Sequence, residues 1–103
     1  MIKNFNNAKI SIIGAGKTGI SCANYFLSEG SKVFLSDKSN SKDIERIIPE
    51  GVAAELGGHT DKLLDADLII PCPDVNPGIP VLVKARELKI PVLTDIAIFA
   101  SVA

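Results

Sequence analysis

The amino-acid sequence predicts an α/β fold of three layers, a five-stranded parallel sheet in the order 3-2-1-4-5 with helices on both faces. Three observations carry that expectation. Short apolar runs alternate with stretches of helical periodicity, and such alternation places crossover helices between parallel strands. The first apolar run, Ile10-Ser11-Ile12-Ile13, breaks into Gly14-Ala15-Gly16-Lys17-Thr18-Gly19, a glycine spacing that joins a buried strand to a helix. Leu68-Ile69-Ile70 is apolar without alternation, as in a strand covered on both faces.

Each element has its own justification. Residues 9–13 read as the first strand and 17–29 as the first helix, where Ile20, Ala23 and Leu27 share an inner face, Lys17, Ser21, Asn24 and Ser28 face out, and Gly30 ends the helix. Strand 32–36 leads to Asp37. In helix 41–48, Ser41 is the N-cap, Asp43 stands in the first turn, Ile44, Ile47 and Ile48 form the inner stripe, and Pro49 forbids continuation. A strand near 52–56, a short helical turn at 60–65 and a strand at 67–70 follow. The segment from Pro71 to Pro80 holds four prolines, which cannot donate ladder hydrogen bonds, and so reads as a rigid loop at the carboxyl end of a strand. In the order 3-2-1-4-5 the crevice between the first and fourth strands is the topological switch point, and this loop forms its second wall. Helix 80–89, strand 91–93 and helix 95–101, capped by Thr94, complete the prediction. The apolar finish at Ala100-Ser101-Val102-Ala103 reads as a chain cut near a domain boundary, with a native start at Met1.

Composition narrows the function classes. A chain of 103 residues makes one domain, and a net charge of −1 without a lysine or arginine cluster argues against a nucleic-acid surface. No run reaches the roughly eighteen apolar residues needed to span a bilayer, and Met1-Ile2-Lys3-Asn4-Phe5 lacks the apolar core of a signal peptide, so no membrane is expected and the default location is the cytoplasm. Cys22 and Cys72 are too far apart for a CxxC pair or a zinc pattern, and Cys22 reads as a small core residue. His59, the single histidine, lies in the turn Leu56-Gly57-Gly58-His59-Thr60 with no nucleophile in a recognisable motif, and reads as a turn or surface residue. Asp61, Asp65 and Asp67 flank a short helix as solvated caps. Neither a catalytic constellation nor a metal site is expected.

The glycine turn is the feature that points to function. Gly14 permits the tight turn, Gly16 lets backbone N–H groups approach an anion, and Gly19 lets the helix pack close to the strand. The helix N-terminus offers unpaired donors and partial positive charge. Asp37 follows at about the twenty-residue distance at which an acidic side chain meets a ribose hydroxyl. Gly16-Lys17-Thr18 also matches the end of a P-loop, but its first glycine would fall on Ser11 inside an apolar, β-branched run that cannot curl around phosphates. The residues therefore predict a nucleotide or phosphate site, and by themselves they suit an NAD-binding regulatory or dehydrogenase module as well as another nucleotide domain.

The order and spacing of several further segments resemble the Mur ligases of peptidoglycan synthesis, most closely the branch that adds D-glutamate. These are Gly14-x-Gly16-x-Thr18-Gly19, Ser36-Asp37-Lys38, Pro49-Glu50-Gly51-Val52, Leu56-Gly57-Gly58-His59, Ala66-Asp67-Leu68-Ile69-Ile70, and the stretch from Pro80-Val81-Leu82 through Ala85-Arg86-Glu87-Leu88 to Thr94-Asp95-Ile96. The resemblance implies a Rossmann-like N-terminal domain of a three-domain, monomeric cytoplasmic enzyme, which holds the UDP portion of UDP-N-acetylmuramoyl-L-alanine. It implies that Gly14, Gly16 and Gly19 shape the turn, that Lys17 and Thr18 approach the diphosphate, and that Asp37, Lys38 and Ser39 form the uracil and ribose end. ATP and magnesium would belong to a central domain and D-glutamate to a third, so this chain alone would not catalyse. Cys72, Pro73 and Asp74 fall where the family has Ser-Pro-Gly. An aspartate there replaces a glycine amide beside a dianionic ligand and would repel it by about 1 kcal/mol. Ala97 stands where the family commonly has glutamate.

Overall fold

The computed structural model describes residues 6–93. The elements are β1 (Lys9–Ile13), α1 (Lys17–Ser28), β2 (Lys32–Asp37), α2 (Lys42–Ile47), β3 (Ala53–Leu56), a 3₁₀ turn (Asp61–Leu64), β4 (Leu68–Pro71) and α3 (Pro80–Glu87). All strand pairs are parallel, in the order β3-β2-β1-β4, with Ile12 opposite Leu35 on one side and Ile70 on the other.

The sheet therefore has four strands among the described residues, not the five expected. The segment expected as the fifth strand lies beside β4 but makes a single parallel bridge, Ile69 with Val92. Pro91 explains part of this: its carbonyl accepts from Ile69 N at 2.9 Å, but it has no N–H to extend the ladder, and only Leu93 N donates back to Ile69 O, at 3.0 Å. The expected helix at 95–101 and its cap Thr94 lie outside the described residues.

Alternation along the strands splits the core in two. Ile10, Ile12, Val33, Leu35, Leu68 and Ile70 face α1 and pack with Cys22, Ala23 and Phe26, while Ile44 and Ile48 lie against the same cluster. Ile13 and Ile69 point the other way, toward Leu63 of the 3₁₀ turn and Val81, Leu82 and Ala85 of α3. Helices thus cover both faces, as the apolar β4 requires. The inner face of α1 is Gly19, Cys22, Ala23 and Phe26, with the expected Ile20 and Leu27 only partly buried on its flanks. Fully burying Phe26 stabilises the fold by about 2 kcal/mol. In α2, Ser41 caps as expected, its hydroxyl accepting from Ile44 N at 3.2 Å. Ile47, however, is 50 % exposed instead of facing inward. A helix of two turns presents too short a stripe to bury three isoleucines against a curved sheet edge. The expected aspartate caps are tied to lysines, Asp65 to Lys9 and Asp61 to Lys84, each at 3.0 Å and exposed.

Candidate functional site: a cleft at the carboxyl edge of the sheet

The carboxyl ends of β1, β2 and β4 meet at one edge. The β1 ladder runs one residue past the strand, with Gly14 N donating to Ser36 O at 2.6 Å, before the chain turns sharply. Two contacts leave no freedom in residue type here. Gly14 has φ +108°, and a Cβ on it would sit 3.1 Å from Cys72 Cβ and Sγ. A Cβ on Gly19 would lie within 1.9 Å of Gly14 O, so only glycine lets α1 close onto the turn. Gly16 differs: a Cβ there would meet no protein atom within 4 Å.

Gly16 is the N-cap of α1 and no side chain caps the helix, nor does an acidic residue stand in its first turn. The first helical bond runs from Ile20 N to Gly16 O, which leaves the amides of the opening turn without intrahelical partners. An unsatisfied helix N-terminus at a sheet edge attracts anions.

Asp37 ties this turn to the tip of β2. Its Oδ2 accepts from Ala15 N at 2.7 Å and its Oδ1 from Ser39 N at 2.8 Å. The carboxylate thus serves the architecture of the turn with both oxygens, each keeping one lone pair for a further donor.

A cleft of about 690 Å³ opens over these groups. It brings together Gly14, Gly16, Lys17 and Thr18 from the turn, Asp37 and Lys38 from the tip of β2, and Cys72, Pro73 and Asp74 from the loop after β4. Two expected site residues do not line it. Gly19 is buried one turn behind, and Ser39 lies outside the lining, acting through its N–H on Asp37. Ile44 and Ile47 of α2 also line the cleft. Their helical spacing reads as a core stripe and carries no sign of this role.

A smaller cleft of about 220 Å³ shares Gly14, Asp37, Lys38 and Asp74 and adds His59, Val75, Asn76 and Ile79. His59, expected as a turn or surface residue, is half-buried. Its Nδ1 lies 2.6 Å from the hydroxyl of Ser36, which is fully buried and also approaches Glu55 Oε2 at 3.0 Å and Gly58 O at 3.1 Å. Partial burial pushes the Glu55 carboxyl up. Hydrogen bonds from the Thr60 N–H and hydroxyl and from Ser36, with the charge of Lys62, outweigh it and hold the group below the usual glutamate value. The order acid, serine, histidine is not that of a nucleophilic triad, and a fully buried hydroxyl is out of reach of a substrate. Among the described residues no cluster of His, Cys, Asp and Glu could hold a metal ion, and no helix is long and apolar enough to cross a membrane.

A parallel sheet flanked by helices on both faces, with a glycine turn and an open helix N-terminus at its carboxyl edge, defines a Rossmann-like domain. The same architecture is found in the NAD-complexed D-isomer specific 2-hydroxyacid dehydrogenase of Lactobacillus delbrueckii ssp. bulgaricus, with a TM-score of 0.61 at 19 % identity over 91 % of this chain and 28 % of that one. At that identity the likeness is one of fold alone. The particular family is set by sequence: residues 8–94 match the Mur ligase MurD-like N-terminal domain, and the chain belongs to that family. The UDP-N-acetylmuramoylalanine–D-glutamate ligase of Buchnera aphidicola subsp. Schizaphis graminum is 39 % identical over 101 residues, 97 % of this chain. This chain spans 23 % of that relative's length. The UDP-N-acetylmuramate–alanine ligase MurC of Thermotoga maritima superposes with a TM-score of 0.76 at 27 % identity, covering 92 % of this chain and 22 % of that one.

Proposed function

We propose that this chain is the substrate-holding N-terminal domain of a ligase that adds D-glutamate to UDP-N-acetylmuramoyl-L-alanine, and that the cleft takes the uridine diphosphate. The observation that supports this reading is convergence. Gly19 and Ser39 apart, the residues carried over from the family motifs, from three separate segments of the chain, line one cleft beside an uncapped helix N-terminus. The diphosphate would lie against the amides of the α1 turn, with Lys17 beside it and Thr18 as a hydroxyl donor. Asp37, Lys38 and Ser39 would form the uracil and ribose end, and Ile44 and Ile47 offer an apolar wall to the flat face of a base. Asp74 sets a negative charge near the same path.

The domain's contribution to the reaction is positional. Fixing the UDP handle holds the reacting L-alanine carboxylate at one place, which turns an encounter between free molecules into an oriented one. The activation of that carboxylate, ahead of attack by the D-glutamate amine, would come from ATP with magnesium. Both are assigned to the length of the relatives that lies beyond this chain's span. The whole enzyme is proposed as a three-domain cytoplasmic monomer, and this fragment as inactive by itself.

Ligand-observed NMR with UDP-N-acetylmuramoyl-L-alanine, UDP and NADH under identical conditions tests the reading. Saturation transfer to both uridine ligands and none to NADH is the expected result. Transfer to NADH alone overturns it.

A further inference from the structure

His59 has two ring nitrogens with different fates. The Ser36 hydroxyl has one proton to give and three neighbours: Glu55 Oε2, Gly58 O and His59 Nδ1. A carbonyl and an ionised carboxylate accept only. The arrangement with the fewest facing lone pairs has Ser36 donating toward the Glu55 and Gly58 oxygens and the His59 Nδ1–H donating to Ser36 Oγ, the shortest of the three contacts. Ser36 is fully buried, so bulk water does not offer a substitute donor. Glu55 is itself anchored through Oε2 by Thr60 N at 2.9 Å. The neutral imidazole is therefore the Nδ1–H tautomer, and Nε2 carries the lone pair.

That second nitrogen has no partner among the described residues and is not a buried orphan atom, so it is open to solvent, and the ring lines the smaller cleft. The two clefts differ in character. Both are lined by Asp37, Lys38 and Asp74, but the larger one adds the α1 turn and Lys17, whereas the smaller one adds His59 and Asn76 without the residues of the helix N-terminus. A phosphate is drawn to the α1 amides and Lys17, which the smaller cleft lacks, so the smaller cleft, with the same carboxylates and an imidazole, suits a part of the ligand that donates hydrogen bonds.

We infer that His59 is a substrate-contacting residue, its Nε2 accepting a hydrogen bond from a ribose hydroxyl or imide N–H at the nucleoside end of the ligand. Ser36 and Glu55 act as positioning residues that hold the tautomer. The inference rests on the uridine nucleotide reading above and adds to it a residue on the 57–60 turn to which that reading gave no ligand contact.

The test uses the chain labelled with ¹⁵N-histidine and titrated with UDP at millimolar concentration. The free protein is expected to show Nδ1 protonated and Nε2 unprotonated, and UDP to shift the Nε2 resonance. His59→Asn keeps a side-chain amide where Nδ1 stood and removes Nε2, whereas His59→Gln places an amide where Nε2 stood. His59→Asn is expected to keep the unfolding midpoint and to weaken UDP about two- to tenfold, with His59→Gln retaining more of the affinity. Either 2′-deoxy-UDP or N3-methyl-UDP will bind wild type and His59→Asn equally, and that ligand names the missing donor. An Nε2–H tautomer, or UDP binding that moves neither ring nitrogen, overturns the inference and leaves the nucleotide reading standing. This arm uses wild-type protein, so it decides even if a variant fails to fold. No response of the wild-type chain to UDP overturns both.

Discussion

The two walls of the cleft are built on opposite principles. The β1–α1 turn is held by contacts that admit no side chain, with the Gly19 site pressed on Gly14 O and Gly14 pressed on Cys72. The loop after β4 is held by its own covalent stiffness and a few local bonds, Val75 N to Cys72 O at 3.0 Å, Gly78 N to Asn76 Oδ1 at 2.8 Å, and Arg86 Nη2 to Pro77 O at 2.7 Å. Asp74 on that loop is exposed, and among the described residues no hydrogen bond or ion pair restrains it. In the first wall sequence is dictated by the fold, so substitutions register as stability. In the second the fold leaves the residues free, so substitutions register as binding.

The largest expected effect strikes the first wall. Gly19→Ala drives a methyl group into a backbone carbonyl and is expected to cost about 3 kcal/mol, read as a fall in the denaturant midpoint. A midpoint within experimental error of wild type would mean that α1 can slide off the turn. Next comes Asp37→Ala, which strips the acceptor from two backbone amides, Ala15 and Ser39, and is expected to lose about 2 kcal/mol by the same measurement. If stability holds and only UDP affinity falls, Asp37 belongs to the ligand and not to the turn.

Gly16 sharpens the contrast because it sits inside the first wall, yet a side chain there would meet no neighbour within 4 Å. Gly16→Ala is expected to change stability by less than about 1 kcal/mol, the cost of a poorer N-cap, while weakening UDP about tenfold in a calorimetric titration. Equal affinity would show that no ligand approaches the turn that closely. The smallest effect belongs to the second wall. Asp74→Gly removes one negative charge from the lining of both clefts and is expected to tighten UDP about fivefold with stability unchanged. Weaker binding would make Asp74 a contact instead of a repulsion.

What was legible in the sequence follows the range of the interaction concerned. The element order from β1 to α3, the glycine turn, the Ser41 cap and the place of the proline loop rest on neighbours within a turn or two, and the structure has these. His59 was not legible because its partner Ser36 lies 23 residues away, and only strand pairing brings the 57–60 turn over the tip of β2. Ile47 was misplaced because helical spacing gives the direction of a stripe and not whether a surface exists to receive it. The fifth strand was counted from its apolar residues, whereas membership of a sheet depends on paired N–H and C=O groups, one of which Pro91 lacks.

Cys72 gives the two walls a clock. Its thiol points at Gly14 O, 3.4 Å away, and the side chain is only 6 % exposed although it lines the larger cleft. An alkylating reagent can reach the sulfur only while the loop and the glycine turn stand apart, because in the closed arrangement the reagent and Gly14 would claim the same space. The rate of thiol labelling therefore counts excursions of the cleft, and a ligand that clamps the walls together would slow it in proportion to its occupancy.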